Sequence, residues 1–119
     1  MKLQQAIQQR RNTLDEDTVM LDKAWAAIID ACTTDVPKAI DFIANECTVE
    51  DMNMLSEVYD ELIYRTQSPE LVSAISKAVS RYGEDDKRYF FEALDTAVAD
   101  FGNYAVKSAY RRAKEDDAR

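Results

Sequence analysis

Carboxylates are the side chains of this sequence with the clearest capacity for chemistry. The chain has 23 Asp and Glu residues and no histidine. Glu57 with Asp60 or Glu61 places two acids on one face of a predicted helix. Glycosidase carboxylates usually flank a cleft from separate elements, and di-iron bundles need Glu-x-x-His motifs that are missing here. A carboxylate-based enzyme is therefore the least favoured of three interpretations.

Other catalytic and metal-binding motifs fail on residue type or spacing. The lack of histidine excludes a Ser-His-Asp triad, a Cys-His pair, an HExxH zinc site and an imidazole pH switch. Asp15 and Asp17 resemble an EF-hand start, but no glycine follows at the sixth position. Cys32 and Cys47 match neither a CxxC motif nor a zinc pair, and we expect reduced, half-buried thiols. The sequence predicts no catalytic residue, no cofactor and no metal site.

Composition indicates one globular, helical domain spanning residues 1–119. Apolar residues make up 46% of the chain and charged residues 32%, while two Gly and two Pro leave few places for loops. No apolar run approaches the roughly 20 residues that span a bilayer, and residues 1–11 are too polar for a signal peptide. We therefore expect a cytoplasmic protein.

Negative charge is concentrated in the first half of the sequence. From Asp15 to Glu61 thirteen acids face only Lys23 and Lys38, a net charge of −11. Residues 1–14 carry +3, and residues 62–119 are balanced. Such a field repels nucleic acid and anionic membranes and attracts basic proteins. The predicted partner is a basic protein, with no binding to nucleic acid or membrane; the oligomeric state is left open.

Apolar periodicity predicts an all-α fold of five or six helices. One long helix is expected from Thr48 to about Thr66, and Gly83 is expected as a left-handed cap. A loosely docked last helix should cover Tyr104 to Lys114 and fray over residues 115–119. Helix starts are predicted at Asp15 or Asp17, at Asp35 with Pro37, at Thr48 with Asp51, at Ser68 with Pro69, and at Asp85 or Asp86.

A weak internal repeat favours one arrangement of these helices. Residues 37–43 align with residues 69–75, and residues 55–63 align with residues 90–98. Two copies of a short-helix, long-helix unit predict stacked antiparallel helix pairs, with the helix of Trp25 packed against them. A plain up-down bundle is the alternative.

A candidate binding face follows from helical spacing. On the predicted helix from Thr48 to Thr66, acids fall on neighbouring lines of one exposed face without an interleaved lysine. A basic partner would supply the missing charge, whereas the alternative is a solvated face. Reversing Glu57 and Glu61 to lysine is expected to leave stability nearly unchanged. The predicted partner-binding residues are Asp35, Asp41, Glu50, Asn53, Glu57, Asp60, Glu61 and Tyr64.

The stretch from Asp35 to Phe101 resembles a known class of binding protein. Its segments TVEDMNMLSEVYDELI (48–63) and SPELVSAI (68–75) are similar in style to the small acidic helical immunity proteins of bacterial polymorphic toxin and contact-dependent inhibition systems. The resemblance implies a bacterial, cytoplasmic protein that neutralises a cognate toxin, often a nuclease. A helical adaptor with a regulatory role is the alternative function.

Overall fold

Capping side chains set most of the helix starts. Asp17, Asp35 and Ser68 each accept a hydrogen bond from a backbone N–H three residues on, at 3.1 Å in all three cases. Thr48 and Asp51 form the predicted capping box. In the computed structural model, which describes residues 1–118, there are eight helices: α1 (Leu3–Arg11), α2 (Thr18–Thr34), α3 (Val36–Asn45), α4 (Val49–Ser56), α5 (Tyr59–Thr66), α6 (Pro69–Ser80), α7 (Glu84–Phe101) and α8 (Tyr104–Ala118).

The all-α prediction is confirmed, but the predicted number of helices is too low. The long helix expected from Thr48 to Thr66 breaks between Ser56 and Tyr59. The N–H groups of Glu57 and Val58 donate to carbonyls three residues back, which tightens the helix into a short turn. The predicted apolar stripe is nevertheless buried on both sides of the break, at Met52, Leu55, Val58, Tyr59, Leu62 and Ile63.

The connection between α6 and α7 also differs from the prediction. Gly83 has φ −63° and ψ 160°, so it is not a left-handed cap, and it instead precedes the first residue of α7. Neither Asp85 nor Asp86 caps this helix; both lie in its first turn beside Glu84. Acids there are favourable because the N–H groups at a helix N-terminus carry partial positive charge.

The helices form two rows that are defined by their contacts. In the first, α3 and α8 both pack against α6; we call α3, α6 and α8 the α6 row. In the second, α5 contacts α2 and α7, α4 contacts α7, and α1 packs against α2 and α4; we call α1, α2, α4, α5 and α7 the α5 row. Contacts of α2 with α3 and of α6 with α7 join the two rows.

Helix α8 is docked far more firmly than its sequence predicts. Val106, Ala109, Tyr110 and Ala113 are buried, and the small alanine side chains allow a close approach to α6. Residues 115–118 continue the helix, and Lys87 reaches Asp117 at 3.1 Å. Arg119, the end of the predicted frayed segment, lies outside the described residues.

The two cysteines are free thiols within the apolar core. Cys32 is buried and Cys47 is half-buried. Burial raises the pKa of each thiol to about 12, because the thiolate would lose its hydration. Cys47 contributes to the rise at Cys32, and Asp51 contributes at Cys47.

Stability is expected to fall steeply at alkaline pH. The folded state holds both thiol protons up to about pH 12, whereas unfolded thiols ionise near 8.5. The contribution of the two thiols to the free energy of unfolding is therefore complete below that unfolded pKa. It is lost as pH rises toward 12, at about 1.4 kcal/mol per thiol per pH unit. Urea unfolding at a series of pH values measures the slope. Cys32→Ala with Cys47→Ala should flatten it between pH 9 and 10, and an unchanged slope would contradict the assignment.

Candidate protein-binding surface

A buried arginine ties α1 to the break between α4 and α5. Arg10 is only 6% exposed and lies on the same stripe of α1 as Leu3, Ala6 and Ile7. Its Nε donates to Glu57 Oε1 at 2.6 Å and its Nη2 to Glu57 Oε2 at 2.9 Å. Nη2 also reaches Asp15 Oδ1 at 2.9 Å, and Nη1 donates to a backbone carbonyl. The bond to Glu57 raises the pKa of Arg10 against the lowering effect of burial, with Asp15 adding to the rise.

Glu57 is therefore a structural residue. Both of its oxygens hold Arg10, and Oε1 also accepts a bond from Trp25 Nε1 at 3.3 Å. Trp25 is half-buried at this contact. Helical spacing alone predicts that reversing Glu57 together with Glu61 leaves stability nearly unchanged, whereas these bonds predict destabilisation, because the reversal would remove two acceptors of a buried guanidinium.

Asp35 and Asp41 belong to the N-terminal cap of α3 and to α3 itself, not to α5. Asp35 caps α3, and its carboxylate lies 3.9 Å from Lys38 Nζ. Asp41 is exposed and accepts a bond from Asn45 Nδ2 at 2.9 Å. Both residues border a cavity shared with α1 and α2.

Glu50 and Asn53 line an open cleft of about 580 Å³ beside the Arg10 network. The opposite wall comes from α1 and from Thr13 to Glu16. Glu57 also lines this cleft and bonds Arg10. The lining holds two arginines and four acids, so the cleft has a net negative charge.

Asp60, Glu61 and Tyr64 share the exposed face of α5. Glu61 bonds Arg65 Nε at 2.9 Å, and both side chains are largely exposed. Asp60 forms no ion pair with any described residue. Tyr64 is exposed, with its ring against that of Phe101. The predicted set thus divides among three places: α3, the cleft and α5.

Folding separates the charges in a way that their order along the chain conceals. The helices of the α5 row contain twelve acids and six bases, a net charge of −6, whereas those of the α6 row contain five acids and six bases, a net charge of +1. Helix α7 alone has six acids and two bases. The second half of the sequence sums to zero because the net charge of −4 on α7 is offset by +1 each from α8, Arg65, Arg81 and Arg119.

Sequence reasoning missed four residues that shape this surface. Arg10 had a signal in its spacing of three from Ile7 and four from Ala6, which places a charge on a buried stripe. Phe101 and Tyr104 are both exposed, and their apolar character alone favours burial, so nothing in the sequence marks them as surface residues. Gln67 had no signal, because its bonds to residues beyond 100 depend on tertiary contacts.

The remaining observations concern other kinds of site. Among residues 1–118 no group of three or more Cys, Asp or Glu side chains is placed to hold a metal ion. Within the same range no helix combines the length and apolar content required to cross a membrane. Comparisons with family models, with curated proteins and with solved structures found no match to this chain.

Proposed function

We propose that this protein is an immunity or antitoxin-like inhibitor that binds and neutralises a basic protein toxin, of which nucleases are an example, in the bacterial cytoplasm. The observation that carries the proposal is the charge separation: the α5 row has a net charge of −6, and the α6 row +1. An acidic surface of this kind attracts a basic protein from a distance and speeds its association.

Unpaired acids support binding in preference to simple solvation. Ion pairs among described residues engage several acids, but none engages Asp22, Asp30, Asp60 or Asp100, which are all exposed on the α5 row. Like charges on neighbouring helices repel each other and weaken the fold. A basic partner would relieve that repulsion, and the relief would contribute to the free energy of binding.

The helix rows support an interpretation as stacked helix pairs of the helical-repeat type. The units matched in sequence are α3 with α4 and α5, and α6 with α7; the first helices of these units contact each other, as do α5 and α7. Such stacks present broad surfaces to protein partners. The same feature favours the second candidate, a helical adaptor, which would bind a basic protein without inhibiting it.

A growth-rescue experiment distinguishes an inhibitor from an adaptor. The toxin to test is the C-terminal domain of a large secreted protein encoded beside this chain, expressed in a bacterial host with and without it. Rescue of growth, with an association rate that falls at least about tenfold as salt rises from low to physiological levels, is expected for electrostatic steering. A stable complex without rescue would support the adaptor, and no complex would overturn both functions.

Two charge-reversed variants provide a matched control. Asp30→Lys with Asp60→Lys alters the α5 row, and Asp41→Lys with Glu70→Lys makes the same net change on the α6 row. All four positions are exposed, so both variants should fold normally. Association should slow much more for the α5-row variant. Equal slowing would show that only total charge matters and would contradict a defined acidic face.

A further inference from the structure

Two aromatic side chains, Tyr64 and Phe101, meet where α5 and α7 end, and a third, Tyr104, lies at the start of α8. Tyr64 is 63% exposed, Phe101 39% and Tyr104 84%. The rings of Tyr64 and Phe101 pack edge to face, with centroids 6.3 Å apart. Tyr104 starts α8 three residues after Phe101. We call these three residues the aromatic cluster. Aromatic side chains are enriched at the centres of protein interfaces, where they contribute much of the binding energy.

Gln67 holds the three helix ends together. Its Nε2 donates to the carbonyls of Phe101 at 2.8 Å and Tyr64 at 3.2 Å, and its Oε1 accepts from Asn103 N–H at 2.8 Å. Asn103 in turn caps α8 by accepting from Val106 N–H at 2.9 Å. These bonds fix the backbone of the junction, so the positions from which the three aromatic side chains extend are set before any partner arrives, which lowers the entropy lost on binding.

Gln67 makes these bonds from an unusual backbone conformation. With φ 44° and ψ 41° it is, in the described part of the chain, the one non-glycine residue with positive φ. Glycine or asparagine would adopt this left-handed conformation more readily. Neither has a side chain long enough to make the same contacts, so glutamine at this position favours a rigid junction over a relaxed turn.

The acids around the aromatic cluster indicate what it would contact. Asp60 and Glu61 precede Tyr64 by four and three residues, so they lie beside it on the exposed face of α5. Asp100 precedes Phe101 and is exposed. The guanidinium group of arginine stacks on aromatic rings and forms two parallel hydrogen bonds to one carboxylate. The ammonium group of lysine makes both kinds of contact less well.

We infer that the aromatic cluster is the anchor of a docking surface for an arginine-bearing segment of a basic protein, with Tyr64, Phe101 and Tyr104 receiving the guanidinium groups and Asp60 and Asp100 pairing with them. The inference rests on the proposed function for the identity of its partner. It adds the location, at the junction of α5, α7 and α8, and the preference for arginine over lysine.

Titration with a defined peptide tests the location without a toxin. The probe is a short peptide of alternating arginine and glycine, added to labelled protein while backbone amide signals are followed by NMR. Shifts are expected at residues 60–67 and 98–106, with weaker binding of the matched lysine peptide. Shifts centred on α3, or none, would overturn the inference, as would equal binding of both peptides.

Tyrosine variants test the aromatic contribution. Tyr64→Ser with Tyr104→Ser should weaken binding of the arginine peptide about tenfold, because each ring that stacks on a cation raises the affinity several-fold. Tyr89→Ser is the control, since Tyr89 is also exposed on α7 but lies outside the cluster. It should change affinity less than about twofold. An equal effect of both variants would overturn the assignment.

The two proposals fail in different ways. If the peptide binds at the cluster but the toxin domain is neither bound nor neutralised, the immunity function is wrong and the docking surface stands. If the toxin is neutralised but Tyr64→Ser with Tyr104→Ser binds it as wild type does, the function stands and the docking surface is wrong.

Discussion

Glu57→Lys is expected to destabilise the protein by about 3 kcal/mol, a large part of the total for a domain of this size. The substitution removes the two Glu57 oxygens that accept bonds from the buried Arg10 guanidinium, leaves Asp15 and the Thr13 carbonyl as its acceptors, and places a second positive charge beside it. Removing one partner of a fully buried pair costs roughly 3 to 5 kcal/mol. The lower end applies because the Glu57 side chain is 30% exposed, so water would partly solvate the charges.

Urea unfolding measures this effect with a reporter at the site. Trp25 is the one tryptophan and bonds Glu57, so its fluorescence should change with the substitution and should follow the same unfolding transition as far-UV circular dichroism. Glu61→Lys is the matched control, since Glu61 pairs only with the exposed Arg65. It should change stability by less than about 0.5 kcal/mol. Similar losses for the two variants would contradict a structural role for Glu57.

The two glycines should respond differently to alanine. At Gly102 a Cβ atom would lie 2.8 Å from the Val98 carbonyl oxygen and 3.0 Å from Val106 Cγ1. The first contact is with backbone, so the junction of α7 and α8 would have to move, at a cost of about 2 kcal/mol. At Gly83 nothing lies within 4 Å and φ is −63°, so alanine fits without strain. Gly83 is the N-cap of α7, where alanine is less favourable than glycine, and this offsets the gain through the unfolded state, so stability should change by less than about 0.5 kcal/mol.

Thermal melts of Gly102→Ala and Gly83→Ala measure this difference directly. The midpoint should fall by several degrees for the first and change little for the second. Gly102→Ala should also weaken binding of the arginine peptide, because the substitution shifts Phe101 and Tyr104 relative to Tyr64. A neutral Gly102→Ala variant would show that the α7–α8 junction tolerates movement.

Local signals along the chain predicted the helices well, and tertiary contacts account for most of the errors. The caps at Asp17, Asp35, Thr48 and Ser68 are short-range features and were correctly placed. The break at Glu57 was missed because Val58 and Tyr59 continue the apolar stripe of α4 without interruption. Glu57 bonds Arg10 and Trp25, which lie 47 and 32 residues earlier in the chain, so the sequence near Glu57 gives no sign of these contacts.

The candidate surface was less predictable than the fold. Helical spacing correctly put Asp60, Glu61 and Tyr64 on one face of α5, but it could not show that Phe101 lies against Tyr64. Summing charge along the chain made residues 62–119 neutral, because such a sum takes no account of which helices pack together. The aromatic cluster depends on contacts between residues 34 to 37 positions apart, which periodicity does not reveal.

The close packing of α8 on α6 affects how this protein can fold during synthesis. Seven of the twelve residues of α6 are buried, and the last side chain of α8 that helps to cover it, Ala113, is translated 33 residues after Ser80. At about 5 to 20 residues per second, the ribosome needs roughly 2 to 7 s to make that segment. During that delay α3 can already pack on α6, but the face of α6 that α8 covers has no partner helix, and a chaperone that binds emerging hydrophobic segments would find its target there.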